Sequence, residues 1–307
     1  MKYCFVGVGS IARKHISNIR KIDNNAVIHA LRSGHSNYGD LDQYIDKQLF
    51  SFDELDSSYD VVFVTNPTSM HFDALNQFYD KSNNFFVEKP VFSHYKEEKD
   101  IVSFQKKKTY IAAPLRFCAG IKYAKQLINE KGKPNCIRAI SSSYLPDWRP
   151  NVDYRNTYSA HKDLGGGVHI DLIHELDYVS YLVGCPNVSF YINDKVSDLE
   201  IDSYDISTSV HKVDDTVIEI HLDYFGRDKK RICELYYNDK TYYINLVNNA
   251  VIEVCGNDVK NVELEPTDIY LDEMKYFIDF VRSNNQTSIN DIFLANRVLK
   301  IINEGEK

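Results

Sequence analysis

No stretch of the 307 residues approaches the ~18 consecutive apolar positions of a membrane span, and the chain opens directly on a strand-like run without a signal-peptide pattern. A soluble, cytoplasmic protein is expected. No run of Lys and Arg is long enough to follow a phosphate backbone, and the formal net charge is −8 with a pI near 5.7. Nucleic acid and anionic membrane surfaces are therefore not expected as partners. The six cysteines, at 4, 118, 136, 185, 233 and 255, contain no CxxC pair. They read as reduced, mostly buried thiols rather than a disulfide framework or a zinc site. No histidine and carboxylate set has metal-ligand spacing, so no metal is expected. Internal repeats and low-complexity linkers are also missing. What remains is a globular composition, 43% hydrophobic, in a chain longer than the ~250 residues at which single cores stop growing. Two domains are expected, 1–117 and 118–307.

The first third alternates strands and helices. KYCFV at 2–6 is a short apolar run followed at once by Gly7, Val8, Gly9, Ser10, Ile11 and Ala12, then by an amphipathic stretch to about Ile22. Strand, glycine turn and helix in that order form the context a dinucleotide fingerprint requires. Gly7 permits the tight turn, Gly9 lets a pyrophosphate approach the backbone at the helix N-terminus, and Ala12 is small enough for close packing. The second strand, 26–31, ends at Arg32 and Ser33. An NAD-selective site usually carries an acid here for the ribose 2′-hydroxyl, whereas a cation and a hydroxyl suit a 2′-phosphate. NADP is favoured, with NAD as the alternative. Further strands at 60–67 and 84–90 end at Thr65, Asn66 and Pro67, with His71 shortly after, and at Glu88, Lys89 and Pro90; a fifth is expected near 109–113. Together with the glycine turn these strand ends make up the expected cofactor-binding set. The pattern predicts an α/β fold with an N-terminal Rossmann doubly wound parallel sheet.

The remainder reads differently. From about 186 to 256 strands alternate apolar and polar residues, as in Val217 to Tyr224, where Ile218, Ile220, Leu222 and Tyr224 share a face. Asn238-Asp239 and Asn248-Asn249 mark hairpin turns. A C-terminal α/β domain with an open, mainly antiparallel sheet is expected, one face covered by the helix that follows the three glycines in the stretch 165–178. The other face is read either as solvent-exposed or as the interface of a homodimer or homotetramer. Two amphipathic helices close the chain, one carrying Tyr270, Met274, Phe277, Ile278 and Val281, the other Ile289, Ile292, Leu299 and Ile302.

GVGSIA at the N-terminus, Glu88-Lys89-Pro90 after the fourth strand, and GGG followed by Asp171 and His174 together resemble the Gfo/Idh/MocA oxidoreductases. The resemblance extends over essentially the whole chain. It implies a Rossmann domain, a second α/β domain with an open sheet, and a nicotinamide cofactor that oxidises or reduces a carbohydrate hydroxyl carbon. Lys89 matches the family's catalytic lysine, and Asp171 and His174 match its acid and histidine. The acid and histidine are three positions apart here, where many members have four. The stretch 142–160 further resembles a subgroup found with bacterial surface-sugar genes, including those for sialic-acid-like sugars.

Helical spacing supports a common orientation of the acid and the histidine. At roughly 100° per residue, Leu172, Leu176, Val179 and Val183 form an apolar stripe, and Asp171, His174, Tyr178 and Tyr181 cluster on a different face. That polar face is expected to look into the cofactor cleft, and His169, outside it, is expected to be structural. Oxidising a sugar carbon requires removal of a hydroxyl proton as hydride leaves. His174 suits the proton transfer, since imidazole titrates near pH 6.5. Lys89 offers positive charge where alkoxide character develops, and Asp171 orients substrate and histidine; Lys89 and His174 could exchange roles. Just upstream, Trp148, Arg149, Tyr154, Arg155 and Tyr158 form an aromatic and arginine-rich loop suited to stacking on sugars and pairing with carboxylate or phosphate. A competing reading pairs those arginines with Asp147 and Asp153. Arg116 is a further substrate candidate. The expected partner is a small sugar or sugar-nucleotide, and the favoured activity an NAD(P)-dependent dehydrogenase or reductase. A hydrolase or lyase using the cofactor transiently, and a non-catalytic dinucleotide sensor, are the alternatives.

Overall fold

The computed structural model describes residues 1–34 and 43–305, and its first elements follow the apolar runs of the sequence. In chain order these are β1 (Lys2–Val6), α1 (Ser10–Ile22), β2 (Val27–Leu31), β3 (Lys47–Leu49), β4 (Val61–Val64), α2 (His71–Gln77), β5 (Asn84–Val87), α3 (Glu98–Ile101) and β6 (Lys108–Ile111). After them come α4 (Ala119–Lys131), β7 (Cys136–Tyr144), α5 (Val168–Asp171) and α6 (His174–Val183). Strands β8 (Val188–Asp194), β9 (Ile206–Val213), β10 (Thr216–Asp223), β11 (Phe225–Tyr236), β12 (Thr241–Asn245), β13 (Ala250–Cys255) and β14 (Asp258–Glu263) precede α7 (Ile269–Arg282) and α8 (Ile292–Glu304).

Two units result, Met1–Pro114 with Asp268–Leu299, and Leu115–Thr267 with the chain from Lys300. The first holds a six-stranded sheet in the order β3-β2-β1-β4-β5-β6, and every neighbouring pair is parallel. β3 lies outside the five strands expected, because three residues, KQL, carry no readable periodicity. The strand order reverses between β1 and β4, the place where open α/β sheets hold ligands beyond the carboxyl ends of their strands.

Helix α7 belongs to this first unit, although the sequence boundary at 117 put it in the second domain. An aromatic column explains the difference. Phe5 stacks on Phe63 at 4.4 Å and Phe63 on Phe86 at 4.8 Å, and Phe277 of α7 meets Phe63 and Phe86 edge-on at 5.7 and 5.1 Å. Phe277 is fully buried, and burial of one such ring is worth ~1.5–3 kcal/mol. One turn earlier, buried Glu273 accepts from the Tyr110 hydroxyl at 2.9 Å and the Ala113 N–H at 2.6 Å. α7 thereby satisfies a polar group at the end of β6 that would be costly to leave unpaired.

The second unit is an eight-stranded sheet, β14-β13-β12-β11-β7-β10-β9-β8, antiparallel except where β7 runs parallel to β10. It begins well before residue 186, since β7 is a central strand. Ile137, Ala139, Ile218, Ile220, Leu235 and Ile244 are buried on one face, against which α6 and α4 pack. On the opposite face Arg138 bonds Glu219 at 2.9 Å and Glu234 at 3.2 Å. Exposed Phe190, Ile192 and Val210 lie toward one edge of that face, and Tyr243, Ile252 and Val259 toward the other.

The expected single helix after the glycines is two. α5 ends at Asp171, Leu172 turns out of helical geometry at φ −99°, ψ 30°, and the bonds slip to Ile173 N–H to Ile170 O and Glu175 N–H to Leu172 O. Such i→i−3 bonding tightens the turn, so the 100° wheel does not carry through it. Leu172, Leu176, Val179 and Val183 are buried as expected, but so is Tyr178, which the wheel put on the polar face, and Glu175 is fully buried as well. Glu175 pairs with Arg231 at 2.8 Å.

Candidate functional site

In the first unit the glycine turn sits at the carboxyl end of β1. Gly7 has φ +87°, and a Cβ there would stand 2.8 Å from the Asn66 Cα, so both backbone conformation and space demand glycine. Gly9 is different: its backbone is extended, and a Cβ would meet no heavy atom within 4 Å. That open direction lies at the start of α1, where unsatisfied N–H groups and the helix dipole favour an anion. The turn therefore fits a dinucleotide pyrophosphate. Ser10 is exposed, Ile11 half-buried, and Ala12 fully buried as the small packing residue.

Neighbouring strand ends hold this turn. The Thr65 hydroxyl donates to the carbonyls of Gly7 at 2.7 Å and Val6 at 3.2 Å, so Thr65 braces the loop. Pro67 is exposed and opens a short 3-10 turn. His71 is 1% exposed, with Nε2 3.0 Å from the Asn66 carbonyl and Nδ1 3.2 Å from that of Val91. Burial pulls its imidazole below the ordinary value. Expected among the cofactor residues, it ties the Asn66 turn to the segment after Lys89. Arg32 is buried and donates to Gln48 Oε1 at 2.6 Å, while Ser33 is exposed.

Glu88 and Lys89 follow β5. Lys89 is half-buried, its N–H donates to Glu88 Oε2 at 3.2 Å, and the Lys89–Pro90 bond is cis. Glu88 Oε1 lies 2.6 Å from Nε2 of His15, a buried residue of α1 that the sequence reading passed over. Burial pushes the Glu88 carboxyl up, but the His15 bond and charge, with Lys89 beside it, bring it below its ordinary value. The one signal for His15 was a polar residue on the apolar side of an amphipathic helix.

In the second unit Asp171 is buried and accepts from two tyrosines, Tyr158 and Tyr224, the latter at 2.5 Å. Both phenols are raised above their ordinary range, by burial first and then by the Asp171 charge. Tyr224 was read only as part of an apolar strand face; a buried phenol usually finds a hydrogen-bond partner, and this one reaches Asp171. Trp148 stands edge-on to Tyr224 at 5.2 Å and donates to Ser143 Oγ at 2.9 Å. The aromatic loop is thus anchored on the Asp171 cluster, with Tyr158 still 43% exposed. Tyr154 accepts from the Glu200 N–H at 3.2 Å, and Arg149 is exposed. His174 opens α6, half-buried. His169 is buried, edge-on to Tyr204 at 5.5 Å.

Two expected substrate residues are engaged elsewhere. Arg116 is 2% exposed and grips Asp177 of α6 through Nε at 2.9 Å and Nη2 at 2.7 Å. Arg155 is held at the surface by Asp153 and Glu200, at 2.9 and 3.1 Å. The competing reading of an internally paired loop therefore applies to Arg155. Among the described residues, no helix is long and apolar enough to cross a membrane.

Residues 1–114 match the model of an oxidoreductase family described by its NAD-binding Rossmann fold, Gfo/Idh/MocA. An uncharacterized oxidoreductase, YrbE, of Bacillus subtilis strain 168 is 25% identical over 197 residues, 61% of this chain and 54% of that protein. The match thus spans about half the length of that relative. Among solved structures, UDP-N-acetylglucosamine 3-dehydrogenase GnnA from Acidithiobacillus ferrooxidans superposes with a TM-score of 0.80 at 20% identity, over 99% of this chain and 96% of that one. A levoglucosan dehydrogenase in complex with NADH gives 0.82 at 14% identity, over 100% and 97%. The parallel sheet and the glycine turn at the strand-order reversal agree with that match: over residues 1–114 the chain is similar to the NAD-binding Rossmann fold of the Gfo/Idh/MocA oxidoreductase family.

Proposed function

We propose that the protein is a nicotinamide-dependent oxidoreductase that moves hydride between NAD(P) and a hydroxyl-bearing carbon of a sugar, either anionic or nucleotide-linked. The observation that carries this reading is the open direction at Gly9, at the N-terminus of α1 and at the point where the strand order reverses. The nicotinamide, when bound, accepts or supplies the hydride. Residues 7–12 would hold its pyrophosphate, and Arg32 and Ser33 its adenosine ribose, with a 2′-phosphate preferred. GnnA, similar in fold, acts by its name on a nucleotide sugar, which fits the substrate class, and levoglucosan dehydrogenase by its name supports only the broader class of sugar substrates.

His174 takes the hydroxyl proton in the oxidative direction and returns it in reduction. The Lys89 ammonium stabilises the oxygen as alkoxide character builds and serves as proton partner. Asp171 holds the Tyr158 hydroxyl, so the acid contributes to substrate orientation through an exposed phenol as well as its own charge. Trp148 and Arg149 supply a stacking surface and a cation for the sugar. The open face of the second sheet, apolar toward both edges, is the proposed contact of a homodimer or homotetramer, to be checked by sedimentation of wild type against Phe190→Glu.

The test is a titration with NADPH and with NADH, followed by a sugar and nucleotide-sugar panel read at the reduced-cofactor absorbance. Turnover in wild type and its loss in Lys89→Ala, Asp171→Ala and His174→Ala, with nucleotide binding kept, supports the assignment. Equal turnover in all three variants overturns it. Substrate cleavage with no net absorbance change would favour transient use of the cofactor.

A further inference from the structure

We infer that His15 is a positioning residue for Lys89, acting through Glu88. The inference rests on Lys89 as the charged group of the proposed reaction. His15 lies in the second turn of α1, the helix whose N-terminus closes the glycine turn, and is 1% exposed. Its ring packs edge-on against Phe86 of β5 at 4.8 Å and is tilted at 6.0 Å from Phe63 of β4. Its Nε2 meets Glu88 Oε1 at 2.6 Å, and its Nδ1 is buried with no hydrogen-bond partner among the described residues. Glu88 is therefore the polar group that fixes the ring, and Nε2–H is the donor.

The second Glu88 oxygen, Oε2, accepts the Lys89 N–H at 3.2 Å. A single carboxylate thus links the nucleotide-binding helix to the backbone of the lysine. β5 lies two places from β1 in the sheet, so strand pairing fixes the Lys89 turn relative to α1 only through β4. The His15–Glu88 contact supplies the direct link. A carboxylate that is 12% exposed as a side chain and loses this donor would turn toward solvent or toward the neighbouring ammonium, and the Lys89 N–H would lose its acceptor.

The test compares His15→Leu, which removes the donor, with His15→Gln, whose side-chain amide can present an N–H near the Nε2 position. Glu88 stays intact in both, so its charge is constant. The full chain is pulsed with acetic anhydride, and acetylation of Lys89 is measured by mass spectrometry relative to exposed Lys99 in the same molecule; melting temperature is recorded alongside. The Lys89 to Lys99 ratio is expected to change at least about twofold in His15→Leu, the lower end of couplings between side chains in contact, and to return toward wild type in His15→Gln. A lowered melting temperature with an unchanged ratio in His15→Leu would show a purely structural histidine and overturn the inference. Should His15→Leu not fold, His15→Asn, too short to reach Glu88, gives the same comparison and the same two outcomes. The readout needs neither nucleotide nor sugar. A wild type that fails to bind NADH and NADPH would therefore overturn the proposed function while leaving the ratio to decide on His15.

Discussion

Arg116→Met separates two roles for one arginine. In the fold its guanidinium has no exposed side-chain surface, Asp177 keeps 13%, and two near-parallel bonds at 2.9 and 2.7 Å join them. The Tyr181 ring lies 5.0 Å away, in cation–π range. Removing one partner of such a buried pair costs ~3–5 kcal/mol, because the other charge stays desolvated. Water can reach part of Asp177, so the lower end, about 3 kcal/mol, is expected. At ~2–4 °C per kcal/mol for a unit of this size, the melting temperature of the second unit should fall by about 6–12 °C in calorimetry, which can resolve units that unfold separately. Arg116→Met with Asp177→Leu should recover most of the loss, since replacing both charges by apolar groups is often neutral. A single-variant shift below about 2 °C would refute the reasoning and return Arg116 to the substrate residues.

The two glycines of the turn should behave differently. Gly7→Ala is expected to destabilise by more than ~2 kcal/mol, from its positive φ and the approach of Asn66, whereas Gly9→Ala should melt like wild type yet bind NADH at least about tenfold more weakly. Equal NADH affinity of Gly9→Ala and wild type in a fluorescence titration would remove the pyrophosphate from Gly9. Tyr224→Phe deletes a donor to a buried carboxylate and should cost ~1.5–3 kcal/mol in urea unfolding; a loss under ~0.5 kcal/mol would show that Tyr158 alone supports Asp171. Burial pulls His211, 2% exposed and bonded to Ser189 and Ser209, down to about 4. Between that value and the unfolded ~6.5 the unfolded chain binds more protons, so stability falls as pH is lowered through this window, by about 2 kcal/mol from pH 7 to 5. His211→Gln should flatten that part of the stability profile, and an unchanged slope would count against the assignment.

Local order was written in the sequence. Apolar runs of four or five residues ending in glycine or proline turns gave β1, β2, β4, β5 and β6, because a parallel strand is buried on both faces and tolerates little else. The glycine turn was legible because Gly7 must adopt a positive φ, a requirement of the residue itself. The alternation of β10 was equally plain. Tertiary structure decided which groups are satisfied by partners distant in sequence. Nothing near Arg116 in the sequence indicates that Asp177, 61 residues on, will take its charge, nor that Tyr224 will reach Asp171 across 53 residues. The break after Asp171 escaped the helical wheel because the wheel assumes one continuous bonding pattern, and a slip to i→i−3 bonds resets the angle for every later side chain. α7 joined the first unit because Phe277 and Glu273 meet partners on β4, β5 and β6, whereas amphipathic spacing reveals that a helix has an apolar face but not which sheet will cover it.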